Sequence, residues 1–361
     1  MKRRVLKRLR AAFLMGVGIF LALVVFVVFV DPFYHYHAPV LGMKTYLYNA
    51  VYQAPGVARN YEYDSAILGT SMTENFHTNW FRDELGLQTV KLSYSGARTS
   101  DLDAILEQVF ASGNEIKKIY LDLNGYQLEV PSDSAYVERP KYLYDENPFN
   151  DVEYVCNIDT LSTCVGSVIA TMMGREDNMD SAYTWNDPEA FGKDKVMEVA
   201  LAAREQAIQA TMEEEDARQS LLNCQRNLDN IGKHIVAHPE TKFVVMYVPY
   251  HVMYWDDANE EMRDLRFERY EMSLRYFGDM PNVEMYFFLD DYEVITDFSL
   301  FRDLGHYPEE VNYRMFQDLS VGNFKVDKEE GIQRLEELKK YVEEYDFDSI
   351  WDEYNSYKEN L

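Results

Sequence analysis

Apolar positions in this chain fall into one unbroken run, several short runs, and stretches of helical spacing between them. Residues 11–30, AAFLMGVGIFLALVVFVVFV, carry no charge and have about the length that crosses a roughly 30 Å hydrocarbon layer as a helix. One transmembrane helix is predicted there. Short runs rich in β-branched and aromatic residues follow at 65–70 (SAILGT), 117–124 (KKIYLDLN), 242–249 (KFVVMYVP) and 283–289 (VEMYFFL). They read as strands covered on both faces. Helical spacing separates them at 99–113, where Thr99 or Ser100 is the candidate N-cap, at 257–277 and at 308–319. Strand alternating with helix predicts an α/β fold with a doubly wound parallel sheet.

Two stretches depart from that alternation. Residues 31–60 carry Tyr, Pro and Gly without a period, and read as a connecting segment on the surface of a domain spanning about 61–350. An insertion at about 130–235 begins as an aromatic, loop-like stretch (YVERPKYLYDENPFNDVEY). From an N-cap at Asp187 and a first-turn Pro188 it becomes one or two long helices, with the acidic block Glu213–Asp216 as a solvated face.

Charge gives the chain a direction. The apolar run is preceded by MKRRVLKRLR, with six Lys or Arg, and followed by DPFYHYHAP, with none. The positive-inside rule therefore predicts a cytoplasmic basic tail at 1–10 and an extracellular domain beyond Asp31, at the cell membrane. A cleavable signal peptide is the competing reading, but the run exceeds a usual signal core and no small-x-small cleavage site follows. Of the 361 residues 47% are hydrophobic, ample for a core, and the net charge of −27 repels nucleic acid. Of three cysteines, Cys156 and Cys164 are placed to pair across a short loop, leaving Cys224 over; no spacing suits structural zinc, and no cofactor is expected.

The candidate chemistry begins at AILGTSMTEN. In an open α/β sheet, ligands bind beyond the carboxyl ends of the strands, and Ser71 stands just past the first one. It reads either as a nucleophile beside helix N–H groups that would hold an oxyanion, or as a turn residue and N-cap. A nucleophile needs a base, and there are seven histidines. His35 and His37 lie beside the span, and His234 and His238 near a helix end; these four read as structural. His251 follows a strand, and His77 belongs to the helix after Ser71. His306 differs: Asp303 precedes it in FRDLGHYPEEV, where one tight turn brings the carboxylate to the imidazole. The aromatic stretch MYVPYHVMYW, 246–255, reads as core and rim packing, with sugar stacking as its functional alternative.

These residues together resemble the SGNH (GDSL-type) hydrolases. The matches are Ser71 in LGTSMTEN, Gly96 in LSYSGARTS, Asn124 in YLDLNGYQ, and Asp303 with His306 in DLGH, in the family's order across about 65–320. The resemblance implies a three-layer α/β/α, flavodoxin-like fold and a Ser71–His306–Asp303 triad. Its oxyanion hole is formed by Ser71, Gly96 and Asn124. Thr70 stands where the family has Asp, and Gly125 follows Asn124 in place of the family's Asp, so Asp122 on the same strand is an alternative polar group. The anchored layout is similar to bacterial cell-envelope acyl-transfer proteins, the D-alanyl-lipoteichoic acid transfer protein and polysaccharide O-acetylation factors. It implies a serine esterase or O-acyltransferase working on acetyl or D-alanyl groups of envelope polysaccharide or teichoic acid, beside a membrane-bound O-acyltransferase. Two further readings are a catalytically inactive scaffold or glycan-binding domain, and a secreted esterase of small esters.

Overall fold

The computed structural model describes residues 2–145, 147–180, 184–209, 214–256 and 259–359. Among the described residues there are six strands: β1 (Ser65–Leu68), β2 (Thr89–Lys91), β3 (Lys118–Leu123), β4 (Lys242–Tyr247), β5 (Val283–Phe287) and β6 (Lys325–Val326). They make one sheet in the order β2-β1-β3-β4-β5-β6. The first five run parallel, and β6 pairs antiparallel with β5, Met285 opposite Val326.

Alternate strand residues feed two apolar clusters, which makes the fold a three-layer α/β/α sandwich. Ala66, Leu68, Ile119, Leu121 and Val245 face the helices Ala50–Asn60, Thr99–Ala111, Glu214–Ala237, Glu260–Gly278 and Lys328–Glu344. Ile67, Tyr120, Val244, Met246 and Tyr286 face Thr78–Leu85, Lys193–Gln209, Glu309–Val321 and Phe347–Glu359. Burial on both faces explains why the strands read as continuous apolar runs. Strands β2 and β6 lie at the sheet edges and are too short to show such a run.

The N-terminal helix runs unbroken from Lys2 to Val30, so the basic tail and the apolar run are one element. It is long and apolar enough to cross a membrane.

Residues 31–60 are more than a surface connection. Ala50–Asn60 is a helix whose Ala54, Val57 and Ala58 belong to the core. Asn49 caps it, its side chain accepting from the N–H groups of Val51 and Tyr52. Pro55 and Gly56 hide the helix from a sequence reading because both disfavour helix interiors. Tertiary contacts overcome this: the Val51 carbonyl, which Pro55 cannot serve, accepts from the Tyr144 hydroxyl at 2.7 Å. Gly56 lies against the Phe33 carbonyl, where a Cβ would stand 2.1 Å away.

The insertion holds a helix that the loop-like reading missed, Ile158–Met172. Asp187 caps only a short 3-10 turn at Pro188–Ala190, and two long helices follow, Lys193–Gln209 and Glu214–Ala237. Glu213 lies outside the described residues, as do 257 and 258 at the expected start of the next helix, which is described from Glu260; Glu215 and Asp216 are solvent-exposed. All three cysteines are free. Cys156 and Cys164 do not pair because Cys156 ends a short helix facing outward while Cys164 turns into an apolar cluster.

Candidate active site

Beyond Leu68 the chain turns through Gly69 and Thr70 into the one-turn helix Ser71–Glu74. Glycine is required: Gly69 has φ +147°, and a Cβ there would stand 1.7 Å from Asp122 Oδ1. Asp122 is fully buried near the end of β3 and anchors the turn. Its Oδ1 accepts from the Thr70 N–H at 2.8 Å, and its Oδ2 from the Thr70 hydroxyl at 2.7 Å and Asn124 Nδ2 at 3.0 Å. Burial pushes this carboxyl up, and the donors from Thr70 and Asn124 oppose the shift.

Thr70 also takes the N-cap position, its hydroxyl oxygen accepting from the Met72 N–H at 3.3 Å. The capping role considered for Ser71 therefore falls one residue earlier, which leaves the Ser71 hydroxyl unspent on the backbone.

So short a helix leaves its carbonyls without internal partners. Side chains from distant elements take them: Trp185 Nε1 donates to the Ser71 carbonyl at 2.9 Å, and Asn312 Nδ2 to Met72 at 2.8 Å. The buried Lys91 ammonium donates to the Glu74 carbonyl at 2.5 Å. Burial lowers this lysine to about 8.

The structure brings Ser71, His306 and Asp303 into one hydrogen-bonded chain. Ser71 Oγ lies 2.6 Å from His306 Nε2, and His306 Nδ1 lies 2.6 Å from Asp303 Oδ2. Asp303 Oδ1 accepts from the N–H groups of Gly305 at 2.9 Å and His306 at 2.8 Å, which folds the turn around the carboxylate. Burial works to raise the Asp303 carboxyl, but the hydrogen bond and charge of His306 and the two N–H donors outweigh it and hold the group below its ordinary value. An ionised carboxylate only accepts, so Nδ1 carries the proton and Nε2 accepts from the Ser71 hydroxyl. The Ser71 residue is 8% exposed and the His306 side chain 36%, so the imidazole meets solvent while the serine is sheltered. The Trp185 ring stands edge-on to His306 at 4.8 Å.

These groups open onto a cleft of about 990 Å³ that Thr70, Ser71, Glu74, Gly96, Asn124, Trp185 and His306 help to line. It lies at the ends of β1 and β3, where strand order reverses. Gly96 has φ +72°, and a Cβ there would fall 2.6 Å from the Tyr136 ring. Among the described residues, neither the Ser71 nor the Gly96 N–H has a hydrogen-bond partner. Asn124 is more committed: its Oδ1 accepts from the Gln127 N–H at 3.0 Å, capping Gly125–Glu129, while Nδ2 holds Asp122.

Trp185 and Glu74 are site residues that sequence reasoning missed. Trp185 arrives from the insertion, 114 residues from Ser71, with no local signal. Glu74 carried one: it stands three residues after Ser71 on the same turn. It is 5% exposed, accepts from the Ser95 hydroxyl at 3.0 and 3.1 Å, and is raised to about 7 by burial.

The other histidines lie elsewhere. His251 is fully buried against Phe298 and Phe301 and lowered to about 3 by burial, so it does not line the cleft. His77 stacks on Trp80 and pairs with Glu309. His35 meets Asp151 of the insertion, His37 the Val28 carbonyl of the N-terminal helix and His234 Asp103, and His238 stacks on Phe110. Most of the stretch 246–255 is core, and only Tyr250 and Tyr254 reach the cleft. Among the described residues no group of His, Cys, Asp or Glu forms a metal cluster.

The fold and this cleft define a class: a three-layer α/β/α protein with a hydroxyl–imidazole–carboxylate chain at the switch point of its sheet. No protein-family model and no curated protein matches the chain. Among solved structures it is similar to a protein from Streptococcus pneumonia, provisionally described as a platelet activating factor. That similarity covers 75% of this chain and 91% of the other at 12% identity, with a TM-score of 0.33.

Proposed function

We propose that this chain is a serine acyl-transfer enzyme of the SGNH type, anchored in the cell membrane by its N-terminal helix with the cleft outside. The observation that carries the reading is the chain from Ser71 Oγ through His306 to Asp303, with both contacts at 2.6 Å. Ser71 Oγ attacks an ester or thioester carbonyl as His306 Nε2 takes its proton, while Asp303 holds the imidazole and balances its charge. The carbonyl oxygen becomes an oxyanion held by the N–H groups of Ser71 and Gly96, with Asn124 beside them. Collapse expels the leaving alcohol or thiol, which takes the proton from His306. An acceptor hydroxyl or water then gives its proton to His306, attacks the acyl-serine and frees Ser71.

The site's position supports an envelope substrate. Asn49, Ala50 and Val51 line the cleft at one end of the helix Ala50–Asn60, while Gly56 packs on the turn that follows the apolar helix. Val51 and Gly56 are five residues apart, roughly 8 Å along a helix. A cleft so near the end of the span suits acetyl or D-alanyl esters of envelope polysaccharide or teichoic acid, handed on by a membrane-bound O-acyltransferase. The Lys/Arg asymmetry supports an extracellular domain.

A fluorophosphonate probe on the full chain in detergent tests the chemistry. The expected adduct is on Ser71 and disappears in Ser71→Ala and His306→Ala; labelling that survives Ser71→Ala sinks the assignment.

A further inference from the structure

We infer that the helix Ile158–Met172 is a second membrane element, lodged in the outer part of the bilayer beside the end of the N-terminal helix. This rests on the reading of that helix as a membrane span.

The first observation is an inverted pattern. A helix on the surface of a soluble domain turns its apolar stripe inward. Here the inward face is Thr160, Thr163, Cys164, Ser167 and Ala170, all buried. The outward face carries Ile158, Val165, Ile169 and Met172, exposed by 75, 52, 51 and 81%, with Asp159 and Ser162 as its exposed polar residues, both near the helix start. Small and polar residues inside with large apolar residues outside is the arrangement of helices solvated by lipid, where small side chains allow close packing. Asp159, in the first turn, is the single charged residue of the helix.

The second observation gives the depth. Leu161, Cys164 and Val168 share one apolar cluster with Leu23, Val24, Val27 and Val30 of the N-terminal helix. Leu23 lies seven residues before Val30, roughly 10 Å along the axis, well within hydrocarbon if that helix spans. Whatever packs against Leu23 from outside the helix shares its depth, so the outward face of Ile158–Met172 meets acyl chains. At 15 residues, roughly 22 Å, this helix is too short to cross and must enter and leave on one side. Arg175 and Glu176 mark the return to water, and Tyr36, Tyr142 and Tyr154 gather at the junction as interfacial aromatics do. Lipid is therefore the occupant of this face, and two points of attachment hold the domain at a set tilt with its cleft above the membrane.

The test uses the full chain in liposomes in a Cys156→Ser background, with a fluorophore on one introduced cysteine and a nitroxide quencher on the lipid chains. Ile169→Cys reports the proposal, Leu21→Cys the span, and Glu336→Cys the aqueous surface. The expected result is several-fold stronger quenching at 169 than at 336, approaching that at 21. Quenching at 21 without quenching at 169 overturns the inference and leaves the anchor intact. Absence of quenching at both positions overturns the anchor and the inference with it. Disulfide cross-linking of Ile169→Cys between chains, without lipid quenching, assigns the face to a second copy and also overturns it.

Discussion

Two buried carboxylates, Asp31 at the end of the N-terminal helix and Asp122 beneath the cleft, organise two polar networks that differ in what they leave unspent. Asp31 is fully buried, in left-handed backbone at φ +42°. Its Oδ1 accepts from the Tyr154 hydroxyl at 2.7 Å and the His35 N–H at 3.0 Å, and its Oδ2 from the N–H groups of Tyr36 at 2.7 Å and His37 at 2.8 Å. That network is saturated and ends on itself. Asp122 likewise has both oxygens engaged, by three donors, but the site above it keeps capacity unspent: among the described residues the Ser71 hydroxyl meets only His306, and neither the Ser71 N–H nor the Gly96 N–H has a partner. The first network consumes its hydrogen-bonding capacity, whereas the second keeps some in reserve above a carboxylate whose oxygens are both engaged.

The sharpest way to break the contrast is to remove the reserve. Ser71→Ala and His306→Ala are each expected to lower turnover by at least about 10⁴-fold, with the double variant little worse, because these residues act as a unit. Melting temperatures should hardly move. Asp303→Asn should cost about 10³-fold, since the amide no longer fixes the proton on Nδ1. Single-turnover kinetics with an activated ester check all three, and independent, multiplicative losses would mean that the chain of contacts is not a catalytic unit.

Asp31→Ala should do the opposite. It strands Tyr154 and three backbone donors, and is expected to cost about 3 kcal/mol of stability while leaving turnover per folded molecule unchanged. A thermal melt in detergent alongside active-site titration separates the two; a catalytic loss without a stability loss would dissolve the distinction between the networks.

A smaller effect is expected at Glu74, which is raised to about 7 by burial despite the Ser95 hydroxyl and the nearby Lys91. The folded state binds its proton more tightly than the unfolded state, so stability falls as pH rises from the ordinary carboxylate value through about 7. Glu74→Gln removes that loss and should stabilise the protein by on the order of 1 to 3 kcal/mol at pH 8, with little effect near pH 5. Equal effects at both pH values would refute it. Smallest of all, Trp185→Phe keeps the ring and removes the 2.9 Å bond to the Ser71 carbonyl. It should lower kcat by about fivefold, on the basis of about 1 kcal/mol for one hydrogen bond, with KM changing less.

What could be read from sequence was whatever the chain encodes over a few neighbouring residues. Strands β1, β3, β4 and β5 are short apolar runs, and Asp303 and His306 are close enough to meet in one turn wherever the chain goes. Gly69, Thr70 and Ser71 likewise announce a strand-to-helix turn. Tertiary structure decided what depends on partners far along the chain. The helix Ala50–Asn60 forms despite Pro55 because Tyr144 supplies the missing donor. Ile158–Met172 escapes an amphipathic reading because its inward face is the polar one, set by packing on the N-terminal helix. Ser71 meets His306 across 235 residues, and Trp185 reaches the Ser71 carbonyl across 114. Periodicity reports which face of an element is buried, but the identity of the group waiting on the other side is a property of the folded chain, since contact between distant residues is fixed by the packing of whole layers.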